Sequence, residues 1–211
     1  MIFRVWIKNL SSLTIGGSTD LGEVDIPMNR FQFPGSSLKG AMRSSLHRAI
    51  LEWGEELEKM GYKLTSCGEI DPDFIEKAHQ ERPCDVCSLF GRPSLGVEGR
   101  SKVTVIRDEE QEKKVYKLTR VGIDRKTRVK RNAALFSQEV FKPGEVFSFR
   151  VEVSDDPREL SLVLLSLLYL RYWRLGRSGM VDVKVENPCR GQCDELGNKL
   201  ANRLEEWEVE E

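Results

Sequence analysis

Apolar positions change their spacing several times along this chain, and each change marks an element. In IFRVWIKNL, residues 2 to 10, Phe3, Val5 and Ile7 alternate with Arg4, Trp6 and Lys8, the two-residue period of a half-buried strand. A polar loop runs through residues 11 to 30. From about Ser36 to Lys59, Leu38, Met42, Leu46, Ile50, Trp53 and Leu57 recur at helical spacing and predict a helix with one buried face. Residues 60 to 99 show neither period and read as an irregular insertion. Strand composition returns in SKVTVIRD (101 to 108), VYKLTRVGI (115 to 123), ALFSQEVF (134 to 141) and GEVFSFRVEV (144 to 153). Asp156 and Pro157 suit an N-cap and a first helical position, and the nearly all-apolar run to Leu170 predicts a buried helix. Residues 173 to 187, WRLGRSGMVDVKVEN, predict a glycine-containing loop and a last strand, and LEEWEVEE an acidic tail. The core order β, α, β, β, α, β is that of a ferredoxin-like α+β fold with two helices on one face of the sheet. One elaborated domain over residues 1 to 211 is expected, with the insertion and a hairpin as its additions.

Composition narrows the function classes. Of 211 residues, 39% are hydrophobic and 32% charged, enough for one substantial core, yet the formal net charge is only −1, so any nucleic-acid surface must be a local basic patch. The strongest apolar run, Leu160 to Leu170, is too short to span a bilayer, and no leader-like segment opens the chain. A cytoplasmic protein without a membrane partner is expected. Five cysteines include the C-x-x-C pair Cys84 and Cys87, which in a reducing compartment favours metal binding over a disulfide.

Four stretches carry candidate chemistry. In FPGSSLKGAMR, Phe33 to Arg43, a Pro-Gly-Ser-Ser turn precedes Lys39 and Arg43, which lie four apart on one helix face. Free N–H groups at the helix start, with Ser36, Ser37 and two cations, suit a polyanion, although a helix cap at Ser36 or Ser37 with solvated cations would also account for the pattern. In IDRKTRVKRNAALF, Arg125, Lys126, Arg128, Lys130 and Arg131, with Arg120 just upstream, face the single acid Asp124 between two strand-like segments. This is either a solvated face or a projecting basic hairpin placed against a nucleic-acid strand. In STDLGEVDIPM, Asp20, Glu23 and Asp25 fall within six residues, and carboxylates beside phosphate-binding cations suit a hydrated Mg²⁺ as well as an ordinary acidic loop. Finally, Cys67, His79, Cys84 and Cys87 offer three thiolates and an imidazole, the donor set of a closed tetrahedral zinc site. Cys189 and Cys193 remain as spare core thiols or alternative ligands.

Taken in order, FPGSSLKGAMR, the C-x-x-C-x-L-F-G of Cys84 to Gly91, Ile123-Asp124-Arg125 and the late Gly-Arg-Ser-Gly loop resemble the RAMP superfamily of CRISPR-associated proteins, over nearly the whole chain. The match is strongest to the repeated backbone subunit of type III effector complexes. That resemblance implies an RRM-like ferredoxin core, a lid inserted after the first helix, here 60 to 99, and a projecting thumb, here 120 to 141. It assigns guide RNA to Phe33–Arg43 and to the 174 to 179 loop, through Arg174 and Arg177, and assigns target-RNA cleavage to Asp25, the aspartate of GEVDIPM. Implied partners are CRISPR guide RNA, single-stranded target RNA, further copies of this chain and other effector subunits. The implied mechanism is metal-dependent attack of an RNA 2′-hydroxyl on its own phosphate. A non-catalytic RNA-binding scaffold and a repeat-RNA processing endoribonuclease are the alternatives. Histidine catalysis is disfavoured, because His47 sits mid-helix and His79 is a zinc-ligand candidate.

Overall fold

Four strands of the sequence reading build one antiparallel sheet. In the computed structural model, which describes residues 1–17, 24–69, 71–79, 82–92, 99–108, 113–177 and 179–209, β1 is Ile2–Asn9, β2 Val103–Arg107, β5 Val146–Val153 and β7 Gly179–Glu186. Between them fall β3 (Tyr116–Ile123), β4 (Lys130–Val140) and the short β6 (Arg174–Leu175). The sheet order is β2-β5-β1-β7-β6, and β3 and β4 form a separate two-stranded ribbon. With α1 (Gly35–Lys59) after β1 and α4 (Pro157–Leu170) after β5, this is the ferredoxin-like order expected from the sequence.

Register explains the buried face. Phe3 pairs with Val151, Val5 with Phe149 and Ile7 with Phe147, while Val5 and Ile7 also oppose Val185 and Val183. All these side chains are buried, so α1 and α4 lie on a continuous apolar surface. At one end Phe33, just before α1, meets Phe147 and Phe149 edge-on, with ring centroids 5.2 and 4.8 Å apart, and Phe141 meets Phe147 at 5.0 Å. The α4 prediction holds in detail. Asp156 accepts from the Arg158 N–H, Pro157 opens the helix, and every residue from Leu160 to Leu170 is buried.

Elsewhere the structure departs from the pattern reading. The long helix starts at Gly35 with Pro34 as N-cap and no side-chain cap, so neither Ser36 nor Ser37 caps it. It breaks regular geometry at Trp53 (φ −116°, ψ 15°), which leaves Ile50 and Trp53 half-buried, whereas Leu38, Met42, Leu46 and Leu57 are core residues. The insertion is not irregular throughout: it holds α2 (Pro72–Ala78), capped by the Asp71 carboxylate, and α3 (Asp85–Phe90). Both are too short to display a helical period. Before the acidic tail comes α5 (Glu195–Leu204), capped by Asp194. Cys189 and Cys193, read as spare thiols or ligands, are joined to each other as a disulfide. Among the described residues no helix is long and apolar enough to cross a membrane.

Candidate functional site

The cationic turn opens α1 against the edge strand. A Cβ at Gly35 would lie 2.1 Å from the Val105 carbonyl oxygen of β2, so only glycine lets the turn pack there. The Ser37 N–H turns back to the Pro34 carbonyl at 3.0 Å, and Ser36 is exposed. Partial burial, and then repulsion from Arg43, lower the Lys39 pKa; an anion at this turn would offset both effects. Arg43 has structural partners as well. Its Nη1 donates to the Gly91 carbonyl at 2.5 Å and its Nη2 to Cys87 Sγ at 3.0 Å, tying α1 to the insertion.

Asp25 sits at the root of the β3–β4 ribbon. The loop carrying it is laced onto β4: Ile26 bridges Gln138, Thr14 Oγ1 donates to the Glu139 carbonyl at 2.5 Å, and Glu139 Oε2 accepts from the Met28 N–H at 2.7 Å. Asp25 Oδ2 accepts from the Ser137 N–H at 2.7 Å and its hydroxyl at 2.9 Å, while the residue itself stays exposed. These donors, first the backbone N–H and then the hydroxyl, lower its carboxyl pKa, so it is ionised at neutral pH. Ser137 is 112 residues away in sequence and carried no motif that could have flagged it. Asp20 and Glu23 lie outside the described residues.

At the far end of the ribbon, Asp124 Oδ1 accepts from the Lys126 and Thr127 N–H groups at 2.8 and 3.0 Å, closing the turn. Arg120, Arg125, Lys126 and Arg128 are all exposed there. Arg125, Lys126 and Arg128 thus sit at the tip and Asp25 at the root, where Lys117 of β3 also acts on it. The side chains of Lys130 and Arg131 lie outside the described set.

The insertion brings together Cys67, His79, Cys84 and Cys87, whose donor atoms all lie within 4.8 Å of one another. Cys67 Sγ and Cys87 Sγ are 3.6 Å apart. His79 Nδ1 is 2.6 Å from the Ile75 carbonyl, an arrangement in which Nδ1 carries the proton and Nε2 the lone pair. Nε2 is buried with no hydrogen-bond partner. An orphaned buried nitrogen facing three thiols is what a four-coordinate metal ion would satisfy. A hydrogen bond from Cys87, with help from backbone N–H groups, holds the Cys84 thiol down to about 4, and the same contact pushes Cys87 up.

The late loop is the tight connection from β6 to β7. Arg174 and Arg177 are exposed on it, and the Arg177 N–H donates to the Thr14 carbonyl at 3.0 Å, so this loop and the Asp25 loop share a base.

A family model for the RAMP superfamily matches residues 6–180. The chain belongs to that superfamily. RAMP proteins are CRISPR-associated RNA-binding proteins that act in multi-subunit complexes, and the match runs from β1 to the start of β7, through the cationic turn, the Cys/His cluster and the ribbon. No curated protein matches the chain closely enough to add a relative.

Proposed function

We propose that this RAMP protein is the repeated backbone subunit of a type III effector complex, holding CRISPR guide RNA and cutting the paired target RNA at Asp25. The observation that carries the reading is the ribbon: a cation-rich tip with an ionised, exposed aspartate fixed at its root. In this reading the 120 to 141 segment is the thumb and 60 to 99 the lid. Guide RNA runs over Ser36, Ser37, Lys39 and Arg43 and past Arg174 and Arg177, and the thumb cations Arg125, Arg128 and Arg131 face the RNA strand. Lying between phosphates, such contacts tolerate any sequence.

Cleavage is an internal transesterification. The 2′-oxygen bonds to the adjacent phosphorus, its proton leaves to a base, and the 5′-oxygen departs with a proton, leaving a cyclic phosphate and a 5′-hydroxyl. Ser137 fixes the Asp25 carboxylate through Oδ2, and in this reading Oδ1 is the oxygen offered to the reaction. A divalent cation such as Mg²⁺ at that oxygen would supply charge neutralisation at the scissile phosphate. Zinc in the Cys67, His79, Cys84 and Cys87 set is structural. Zn–S bonds of about 2.3 Å put tetrahedral sulfurs about 3.8 Å apart, close to the spacing here, and four protein ligands leave no open position.

The bond to Ser137 also favours a second reading, in which Asp25 only pins the loop to β4 and the chain is a non-catalytic scaffold. Asp25→Ala and Asp25→Asn in the assembled complex separate the two. On the catalytic reading both lower target cleavage by about 10²- to 10⁴-fold while guide and target stay bound, and EDTA or a 2′-deoxy at the cleaved nucleotide stops the reaction. Asparagine keeps an acceptor for Ser137 but not the charge. Full cleavage by both variants would leave the scaffold reading standing.

A further inference from the structure

A cleft of about 640 Å³ opens between α1 and the insertion. Gly40, Ser44, His47 and Arg48 form its α1 wall, spaced as one helix face, and the turn from Ser66 to Glu69 forms the other. Trp173 closes one end, with the Arg48 guanidinium 3.6 Å from the centroid of its ring. His47 Nδ1 is 2.8 Å from Ser66 Oγ. Gly68 (φ +69°) presses on the imidazole so closely that a Cβ there would lie 2.7 Å from His47 Cε1, so the turn is shaped around this histidine. At Gly40 nothing lies within 4 Å of a Cβ position, and that end is open.

The lining holds a flat cation stacked on an indole, an imidazole, two hydroxyls and the apolar Ile75 and Val86, with Arg43 as a second cation and Glu69 as its one acid. Guanidinium planes and aromatic rings are the groups on which unpaired RNA bases stack, whereas bare phosphate binding needs only exposed cations. Both ends of the cleft also continue into segments assigned to RNA above. Gly40 and Arg43 belong to the cationic turn, and Trp173 directly precedes Arg174.

We propose that this cleft takes one unstacked nucleotide of the bound RNA, its base laid on the Arg48–Trp173 pair and its sugar-phosphate turned toward Ser44 and His47. The inference rests on the RNA-binding reading and deepens it, since α1 then grips a base as well as the backbone. The Cys67 turn supplies one wall, so the Cys/His cluster shapes an RNA contact in addition to holding the insertion.

The test uses the full chain and a twelve-nucleotide oligouridine carrying 4-thiouridine. Photocrosslinks should map to the peptides holding Trp173 or His47. Trp173→Ala, and Ser44→Trp, which fills the cleft from an exposed position, should each weaken binding by about 5- to 150-fold, the range for loss of one base stack. With Trp173→Ala the salt dependence should keep its slope, because only the base stack is lost, and Trp173→Phe should retain most of the affinity. RNA bound with wild-type affinity by both Trp173→Ala and Ser44→Trp overturns the subsite alone. A wild-type chain that does not bind the oligomer overturns the RNA-binding reading and the subsite together.

Discussion

The Asp25 carboxylate shows how much one residue depends on a partner far away in sequence. Two Ser137 donors lower its pKa from the ordinary 3.8, so the ionised form is the one the fold prefers. A depressed folded pKa means that the stabilisation is present above the ordinary carboxylate value and is lost as pH falls through the lowered one. Ser137→Ala removes the hydroxyl and leaves the backbone N–H, so the Asp25 pKa should rise only part-way back, read by carboxyl-carbon NMR titration. A return to the full ordinary value would mean that the backbone bond contributes nothing. A second network lies under α5. Burial pushes Tyr62 up to about 12 and its hydrogen bond to Asp194 adds to this, while donors from Ser161, Tyr62 and the Gly197 N–H outweigh burial and lower Asp194. Neither α5 with its Asp194 cap nor the tie of Asp194 to Tyr62, 132 residues away, is legible in the sequence pattern.

Elements decide what each group of residues can do. The insertion is held by short helices and by four donors contributed from three separate stretches, so chelation should loosen residues 60 to 99 while the sheet persists. Hydrogen exchange with and without a strong chelator reads this directly: faster exchange in the insertion and unchanged β1, β5 and β7 is the expected result, and zinc stoichiometry by elemental analysis gives the metal. Because Arg43 donates to Cys87 Sγ and Gly91, α1 near Arg43 should also respond. The ribbon is different in kind, a two-stranded sheet of its own whose described tip cations Arg125, Lys126 and Arg128 are exposed. Reversing Arg125, Arg128 and Arg131 to glutamate should leave the melting temperature nearly unchanged and flatten the salt dependence of RNA binding by about 2 or more units of slope, given about 0.7 per single-strand phosphate contact. An unchanged slope would remove the ribbon from the RNA path.

At the scale of the whole molecule, a buried ion pair between the end of α4 and β7 anchors the C-terminal segment to the sheet. Arg171 Nε lies 2.9 Å from Asp182 Oδ1, with the two side chains 4% and 1% exposed. Arg171 also donates to the carbonyls of Val183, Arg203 and Glu206, and Asp182 Oδ2 accepts from the Glu208 and Val209 N–H groups at 2.8 and 3.0 Å. The described part of the acidic tail is therefore docked through its main chain, and the Glu208 carboxylate adds contacts to Arg171 at 3.5 Å and to the Tyr172 hydroxyl at 3.4 Å. Arg171→Ala strands a buried aspartate and should cost about 3–5 kcal/mol in urea unfolding, with the tail released to exchange. A loss under about 1 kcal/mol would show that Asp182 finds another partner or is reached by water.

By itself the sequence determined the local and periodic features: the alternation of β1, the apolar face of α1, the all-buried α4 with its Asp156 cap, the hairpin strands around the basic run and the four Cys/His donors that the fold brings together. These are legible because a strand or a long helix writes its period into the side chains it must bury, and because metal donors are few in kind. Tertiary structure alone decided the rest. It gave α2 and α3 their form inside a segment too short to show a period, paired Cys189 with Cys193, set Ser137 against Asp25, and closed a cleft between His47, Arg48 and Trp173. Apart from the disulfide, whose cysteines are four residues apart, each of these joins residues distant along the chain or elements of about two turns or fewer, where local pattern holds little information and packing against the rest of the fold supplies the free energy.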